Sequence, residues 1–477
     1  MEQNFTVQGV VAGIFLVSFI FSLLGYNGTI SQAPRFKGLR CAIASVRTII
    51  RDFKSWRFYV PWKHSAPTIF VTSKKHIAEY SEVTCLSQQA VYADMFGFKH
   101  TMDNLEHDRL DHKVVRNKFN NRLLEVKGPA HLHALYPKFV TRFENSWKKA
   151  LENGRTTCRK LSTRMISLIF FGEKLTSDER FIESLLQYSK DMVNCMIAFQ
   201  ILPSFFSRYM HHIITRGGKA MHSLRKQFTD MLGPGRDSWD ESESIKDCTI
   251  IHNMALLSKD SSYWTGPAMN AQNMLGIWFA ASHQPWMNLD FILLELCARP
   301  NWQVKLRQEL LDHMPLNDYA TLDSLPLLDS FMKETVRLNP LDKYGVRRKA
   351  VLPYQFSNQT MSVPQGATVC VPAYEMLHDP SRYSDPHSFD GQRFAKNNGD
   401  HGTRFTHVSH DFPMWGYGSL ACPGRFHAAL IIKVVISQLL MRYELRLENE
   451  NARRKWTWET FAMPFESTRI QLRKIDM

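Results

Sequence analysis

The sequence is poor in paired cysteines. Its eight cysteines stand at 41, 85, 158, 195, 248, 297, 370 and 422, and no two form a C-x-x-C pair. That excludes zinc-ribbon and thioredoxin-type motifs, and so sparse a set is no secreted disulfide framework. Reduced thiols and a cytosol-facing fold are expected. There is no Gly-x-Ser-x-Gly elbow, so a membrane-tethered serine hydrolase finds no support. Helix-turn-helix punctuation and zinc spacing are both missing, so no nucleic-acid partner is expected despite a net charge of +14. The 23 glycines and 21 prolines follow no period, which excludes a collagen-like chain. With 44% hydrophobic residues among 477, the chain has enough apolar surface to fold.

Charge is also missing from the start of the chain. No charged residue lies between Glu2 and Arg35, and Gly9 to Gly25 reads GVVAGIFLVSFIFSLLG. Seventeen helical residues span about 26 Å, slightly short of a typical hydrocarbon core. This suits the thin bilayer of the endoplasmic reticulum. A basic n-region and a small-x-small cleavage site are both lacking, so an uncleaved anchor is expected rather than a signal peptide. Arg35, Lys37, Arg40 and Arg47 follow the run, which predicts a lumenal N-terminus and a cytoplasmic bulk. The expected organisation is a lumenal segment 1–8, a transmembrane anchor 9–25, a basic linker 26–55 and one domain over 56–477 with no Gly/Ser linker inside it.

Within that domain the pattern predicts a mainly α fold with a minor β region. Helical periods dominate from about 105 to 315. The longest helix is expected over Gly266 to Ala298, with a local break or kink at Pro285. Another runs from Leu325 to Leu338, ended by Asn339-Pro340. Short strands are expected at Ile69–Thr72 and within Val346–Val371. A late amphipathic helix is expected over Arg425–Tyr443, with closing strands at Glu444–Leu447 and Thr468–Leu472.

The chemistry concentrates in Trp415-Gly416-Tyr417-Gly418-Ser419-Leu420-Ala421-Cys422-Pro423-Gly424-Arg425. Glycines at 416, 418 and 424 let backbone approach a flat, bulky object. Cys422 lies just before a helix, where the dipole and free N–H groups stabilise a thiolate. Such a thiolate suits an axial haem ligand. The stretch resembles the cysteine loop of the cytochrome P450 haem-thiolate monooxygenases. Trp415, Gly418 and Gly424 occupy that loop's aromatic and glycine positions, seven and four before the Cys and two after it. Trp415 replaces the usual Phe, keeping an aromatic face to shield the sulfur. Leu420 replaces the usual Arg or His, so one contact to a haem propionate is lost.

The resemblance extends further. Glu334-Thr335-Val336-Arg337 puts a carboxylate and a guanidinium on one helix face. It precedes Cys422 by 88 residues, with Arg393 between them. In the family such an arrangement forms a buried structural triad, for which Lys could not replace Arg. The resemblance makes Cys422 the iron ligand of haem b (iron protoporphyrin IX) and His112, Arg116 and Arg348 the candidate propionate partners.

In the long helix the family usually shows small residues, an acid and a Thr that move protons. Here the stretch is Ala280-Ala281-Ser282-His283-Gln284-Pro285. Ser282, His283 and Gln284 are therefore the candidate catalytic residues. Gln284 stands at the Thr position, and His283 is a shuttle candidate near neutral pH. Residues Thr460 to Pro464 resemble the hairpin that lines the family's substrate cavity.

The resemblance implies insertion of an oxygen atom from O2 into a large apolar substrate, with electrons from NADPH through a flavoprotein reductase, NADPH-cytochrome P450 reductase. Similarity to filamentous-fungal members implies a terpenoid, meroterpenoid or indole-type secondary metabolite. Two alternatives stay open on the atypical relay: a reductase-independent haem isomerase or dehydratase, and a non-catalytic haem-binding protein.

Overall fold

The start and stop of each helix are written locally. Ser87, Thr157 and Asp178 accept hydrogen bonds from the amides of Ala90, Lys160 and Arg180 and so cap three helix N-termini. Pro300 and Pro326 open two more at a first-turn position, where no N–H is needed. The structure is a computed structural model that describes residues 67–102, 129–152, 156–232, 249–259, 267–316, 318–358, 361–395 and 404–475. The expected anchor 9–25, the linker 26–55, and His112 and Arg116 lie outside the described residues. No helix of the described residues is long and apolar enough to cross a membrane.

The helices are α1 Lys74–Glu82, α2 Gln88–Phe96, α3 Phe98–Thr101, α4 Pro129–Glu152, α5 Cys158–Thr176, α6 Glu179–Ile201, α7 Ser207–Ile214, α8 Lys219–Leu232, α9 Ile250–Lys259, α10 Pro267–Ala298, α11 Pro300–Asp312, α12 Tyr319–Asp323, α13 Pro326–Leu338, α14 Ala373–Leu377 and α15 Arg425–Leu440. The strands are β1 Thr68–Phe70, β2 Leu86–Ser87, β3 Gly345–Ala350, β4 Tyr354–Gln355, β5 Ser362–Val363, β6 Thr368–Val371, β7 Tyr443–Leu447, β8 Lys455–Trp458, β9 Phe461–Pro464 and β10 Ile470–Lys474. The fold is mainly helical with small sheets.

A four-stranded sheet has the order β1-β6-β3-β2. Its β1 and β6 are parallel, pairing Thr68 with Thr368 and Phe70 with Cys370, whereas β2 and β3 are antiparallel. Val71, Ile77, Tyr80, Leu86, Val346 and Val369 make a small core against it. The larger core is helical and has α10 at its centre, with Met274, Leu275, Trp278, Leu289 and Ile292 buried on several faces. A helix apolar on all sides belongs in the interior.

Two expectations need correction. Pro285 does not break α10, which continues to Ala298. Nor is α15 amphipathic: nearly every residue from Ala429 to Leu440 is buried. Its lone cation in that stretch, Lys433, is buried against Asp323 at 3.2 Å and Asp329 at 2.7 Å. The two carboxylates offset the cost of burying this charge.

Candidate functional site

The site is built on the start of α15 and the loop before it. Trp415 is buried, and its carbonyl accepts the Cys422 N–H at 2.6 Å. Its indole N–H donates to the Phe405 carbonyl at 2.6 Å, and the two rings meet edge to face. The indole N–H is therefore engaged away from the sulfur. Gly416 has φ +78, and a Cβ there would stand 2.2 Å from the Leu420 carbonyl oxygen. Only glycine permits this turn. The sequence marks Gly416 as a glycine of the loop, while its turn back onto Leu420 shows only in the fold.

Cys422 is half-buried at the head of α15. Burial pushes its thiol up, while the amides of Gly424 and Arg425 and the Arg425 charge pull the other way. A metal cation at the sulfur would reinforce the opposing group and favour thiolate. Leu420 is packed with Tyr417 against the small core under the sheet.

Three observations test whether haem fits. A Cβ added at Gly424 would meet no atom within 4 Å, so a flat group can approach the sulfur along this side. In the middle of the otherwise buried α10, Ala280 and Gln284 are exposed, one turn apart, so this helix faces open space. Arg348 is 5% exposed and its guanidinium donates to the carbonyls of Tyr80, at 2.6 Å, and Ser81. Its Nε has no hydrogen-bond partner, and the Glu82 carboxylate acts on the guanidinium through its charge. Burial pulls its pKa down to about 10. A buried guanidinium with a donor still open fits a carboxylate arm. The residues present fit an iron porphyrin held by Cys422, with Arg348 on a propionate.

The loop is braced by a buried charge network. Glu334 and Arg337 have no exposed side-chain surface, and the guanidinium grips both carboxylate oxygens, at 2.7 and 2.9 Å. Arg393 Nε donates to Glu334 at 3.1 Å. Arg337 also donates to the carbonyls of Leu377 and Pro386, and Arg393 to that of Ser384.

The three α10 candidates separate. Ser282 is buried, its Oγ 2.8 Å from Ser189 Oγ of α6. His283 is buried and stands edge-to-face with Phe279. Burial, then the Arg159 charge, lower its pKa to about 3, against a backbone hydrogen bond at Ser189. Its ring is neutral at pH 7, which corrects the expectation of a proton shuttle near neutrality. Gln284 alone of the three is exposed. Around this face Phe279 meets Phe96 of α2 edge to face. The β8–β9 hairpin is tied down by Thr460, which takes the Lys343 amide on its carbonyl and the Arg347 guanidinium on its hydroxyl.

Fold and site define a haem-thiolate oxidoreductase. A family model described as Cytochrome P450 matches residues 62–472. The chain belongs to the cytochrome P450 family. It is 29% identical over 383 residues to cytochrome P450 monooxygenase paxP of Penicillium paxilli, covering 74% of this chain and 73% of that protein. With cytochrome P450 monooxygenase AtmP of Aspergillus flavus it shares 26% over 398 residues, covering 79% and 74%. With penP of Penicillium crustosum the aligned stretch spans 60% of this chain and only 57% of the relative. Retinoic acid bound cyanobacterial CYP120A1 shares the fold, with a TM-score of 0.62, 18% identity and coverage of 86% and 89%.

Proposed function

We infer that this protein inserts an oxygen atom from O2 into a large apolar substrate. The observation that carries the reading is Cys422 before α15, backed by the amide donors of Gly424 and Arg425, with open space at Gly424 beside it. Haem bound there supplies oxygen chemistry; the chain supplies position and exclusion of water. Cys422 would hold the iron through its thiolate, and Arg348, with His112 and Arg116, would hold the propionates. The apolar surroundings of Ala280, with Phe279 and Phe96 nearby, suit a substrate with little charge. Similarity to fungal monooxygenases supports a terpenoid, meroterpenoid or indole-type metabolite as that substrate.

Electrons come from NADPH through a flavoprotein reductase, whose acidic patch the net charge of +14 would attract. The run Gly9–Gly25 anchors the chain in the endoplasmic reticulum membrane, the folded domain being cytoplasmic. Exposed Phe205, Phe206, Tyr209 and Ile213 around α7 suit a domain lying against lipid.

A second reading rests on Gln284, since it stands where the resemblance expects the hydroxyl of a Thr. In that reading the haem isomerises or dehydrates an already oxidised substrate without a reductase. Expression in membranes with a reductase decides between them. The first reading expects a thiolate-type carbon monoxide spectrum that Cys422→Ala abolishes, and a product heavier by one oxygen atom only when NADPH and O2 are supplied. Product formed without either supports the second. A protein that binds no haem defeats both.

A further inference from the structure

Strand β3 carries one residue more than the strand it pairs with. Gly345 stands opposite Val371 and Arg348 opposite Val369, so three steps along β3 face two along β6. The extra residue makes a β-bulge. Its turn falls on Val346, which has φ +50, while Gly345 beside it is not in the left-handed region. A β-branched residue is strained in that conformation and stays there only where its surroundings over-determine it.

Tyr80 supplies those surroundings. It is fully buried in the last turn of α1 and shares the small core with Val346. Its hydroxyl donates to the Val346 carbonyl at 3.0 Å. A bulged residue is left out of the ladder, and this hydroxyl satisfies the carbonyl so stranded. The bulge also decides where Arg348 points. Side chains alternate along a strand, and one inserted residue sends every later one to the opposite face. Arg347 and Arg348 are both buried and run apart. Arg347 reaches Asp342 and Thr460, and Arg348 reaches the carbonyls of Tyr80 and Ser81. Those carbonyls lie at a helix end, where no helical donor reaches them. A Cβ at Gly418 would stand 2.8 Å from the Glu82 carboxylate and 2.9 Å from Ser81 Oγ, so the end of α1 touches the cysteine loop as well.

We propose that Tyr80 is a positioning residue for the haem. Its hydroxyl holds the bulge at Val346, its carbonyl takes the Arg348 guanidinium, and the two together keep Arg348 where its open Nε can take a propionate. The proposal rests on the haem reading above.

The test measures haem transfer to an acceptor protein from the full-length, haem-loaded wild type, Tyr80→Phe, Arg348→Leu and the double variant. Tyr80→Phe is expected to speed release by about two- to tenfold, the range for one net hydrogen bond. In the Arg348→Leu background the same change should add nothing, because Tyr80 acts through Arg348. An equal acceleration in both backgrounds marks a purely structural hydroxyl and overturns the proposal. A wild-type rate for Tyr80→Phe, while Arg348→Leu releases haem faster, overturns it too. The carbon monoxide spectrum should keep its thiolate form throughout. Its loss in Tyr80→Phe would assign the hydroxyl to the cysteine loop instead and overturn the proposal.

If a variant fails to fold or to hold haem, a crystal structure of the haem-bound wild type decides. Val346 at positive φ, with Tyr80 Oη on its carbonyl and Arg348 on a propionate, supports the proposal. A regular β3 with Arg348 turned away overturns it. A wild-type transfer rate for Arg348→Leu defeats the propionate assignment and the proposal with it, whereas a wild type that takes up no haem defeats the haem reading itself.

Discussion

Glu334 and Arg337 meet through two hydrogen bonds, at 2.7 and 2.9 Å, with neither side chain exposed to solvent. The same carboxylate takes Arg393 Nε and the Asp390 amide. This knot joins α13 to the segment that leads into the cysteine loop. Breaking a buried pair strands a charge, which costs about 3–5 kcal/mol. Arg337→Lys should therefore destabilise strongly, because an ammonium cannot keep both carboxylate bonds and those to Leu377 and Pro386. Urea denaturation would read the loss; a change under about 1 kcal/mol would count against this bracing role.

Gly416 and Gly424 should respond oppositely to alanine. At Gly416 the new Cβ would meet backbone at 2.2 Å in a left-handed conformation, so the loop itself cannot form. Gly416→Ala should lower stability by about 2 kcal/mol or more even without haem. At Gly424 φ is −87 and the new Cβ meets nothing within 4 Å. Gly424→Ala should fold normally yet bind haem more weakly, since the methyl group stands where the porphyrin approaches. Denaturation of the haem-free protein, paired with haem titration, separates the two.

Arg348 should matter for haem retention more than for the bare fold. Arg348→Leu removes a buried cation whose Nε has no hydrogen-bond partner. Loss of a hydrogen bond to a charged group costs about 1.5–3 kcal/mol. Haem transfer to an acceptor protein should accelerate accordingly, by about ten- to a hundredfold. An unchanged transfer rate would remove Arg348 from the propionate site.

Asp191 gives a pH signature remote from the cysteine loop. It is buried on α6 in a small cavity that His211 also lines, and it accepts from Gln187 at 2.7 Å. Burial pushes its pKa up to about 6, against the Gln187 bond and the charges of Arg216 and Lys190. The folded state therefore favours the protonated acid. Between about pH 6 and pH 4 the folded chain binds more protons than the unfolded one, so acidification favours folding through this group. Asp191→Asn should stabilise at pH 7 by about 2–3 kcal/mol, and the gain should fade as pH falls through that window. His211, lowered to about 4 by burial and by His100, His222 and His212, contributes the opposite slope in both proteins. Denaturation midpoints of the pair across pH 4–8 check the difference; a gap independent of pH would refute it.

Chemistry that depends on short spacing could be read from the chain. A thiol before a helix, glycines around it, and Glu334 with Arg337 one turn apart are local relations that any fold of this stretch must keep. The helix stop at Asn339-Pro340 was legible for the same reason, because proline acts on its own backbone. The faces of α10 were not legible. Ser282, His283 and Gln284 are consecutive and all polar, and nothing in their order says which meets α6 and which meets open space. The burial of Ala429–Leu440 was not legible either, because the counter-charges that let Lys433 go inside, Asp323 and Asp329, come from a distant segment.

The linear order of residues was sufficient for a mainly helical chain with a thiolate-bearing loop, since backbone preference and nearest-neighbour spacing act within one or two turns. Folding added the relations between distant segments. It paired Thr68 with Thr368, put Arg393 on Glu334, packed Leu420 against the small core, and left Gln284 rather than His283 exposed. These follow from burial and charge pairing between elements far apart in the chain, and those forces have no value until the elements meet.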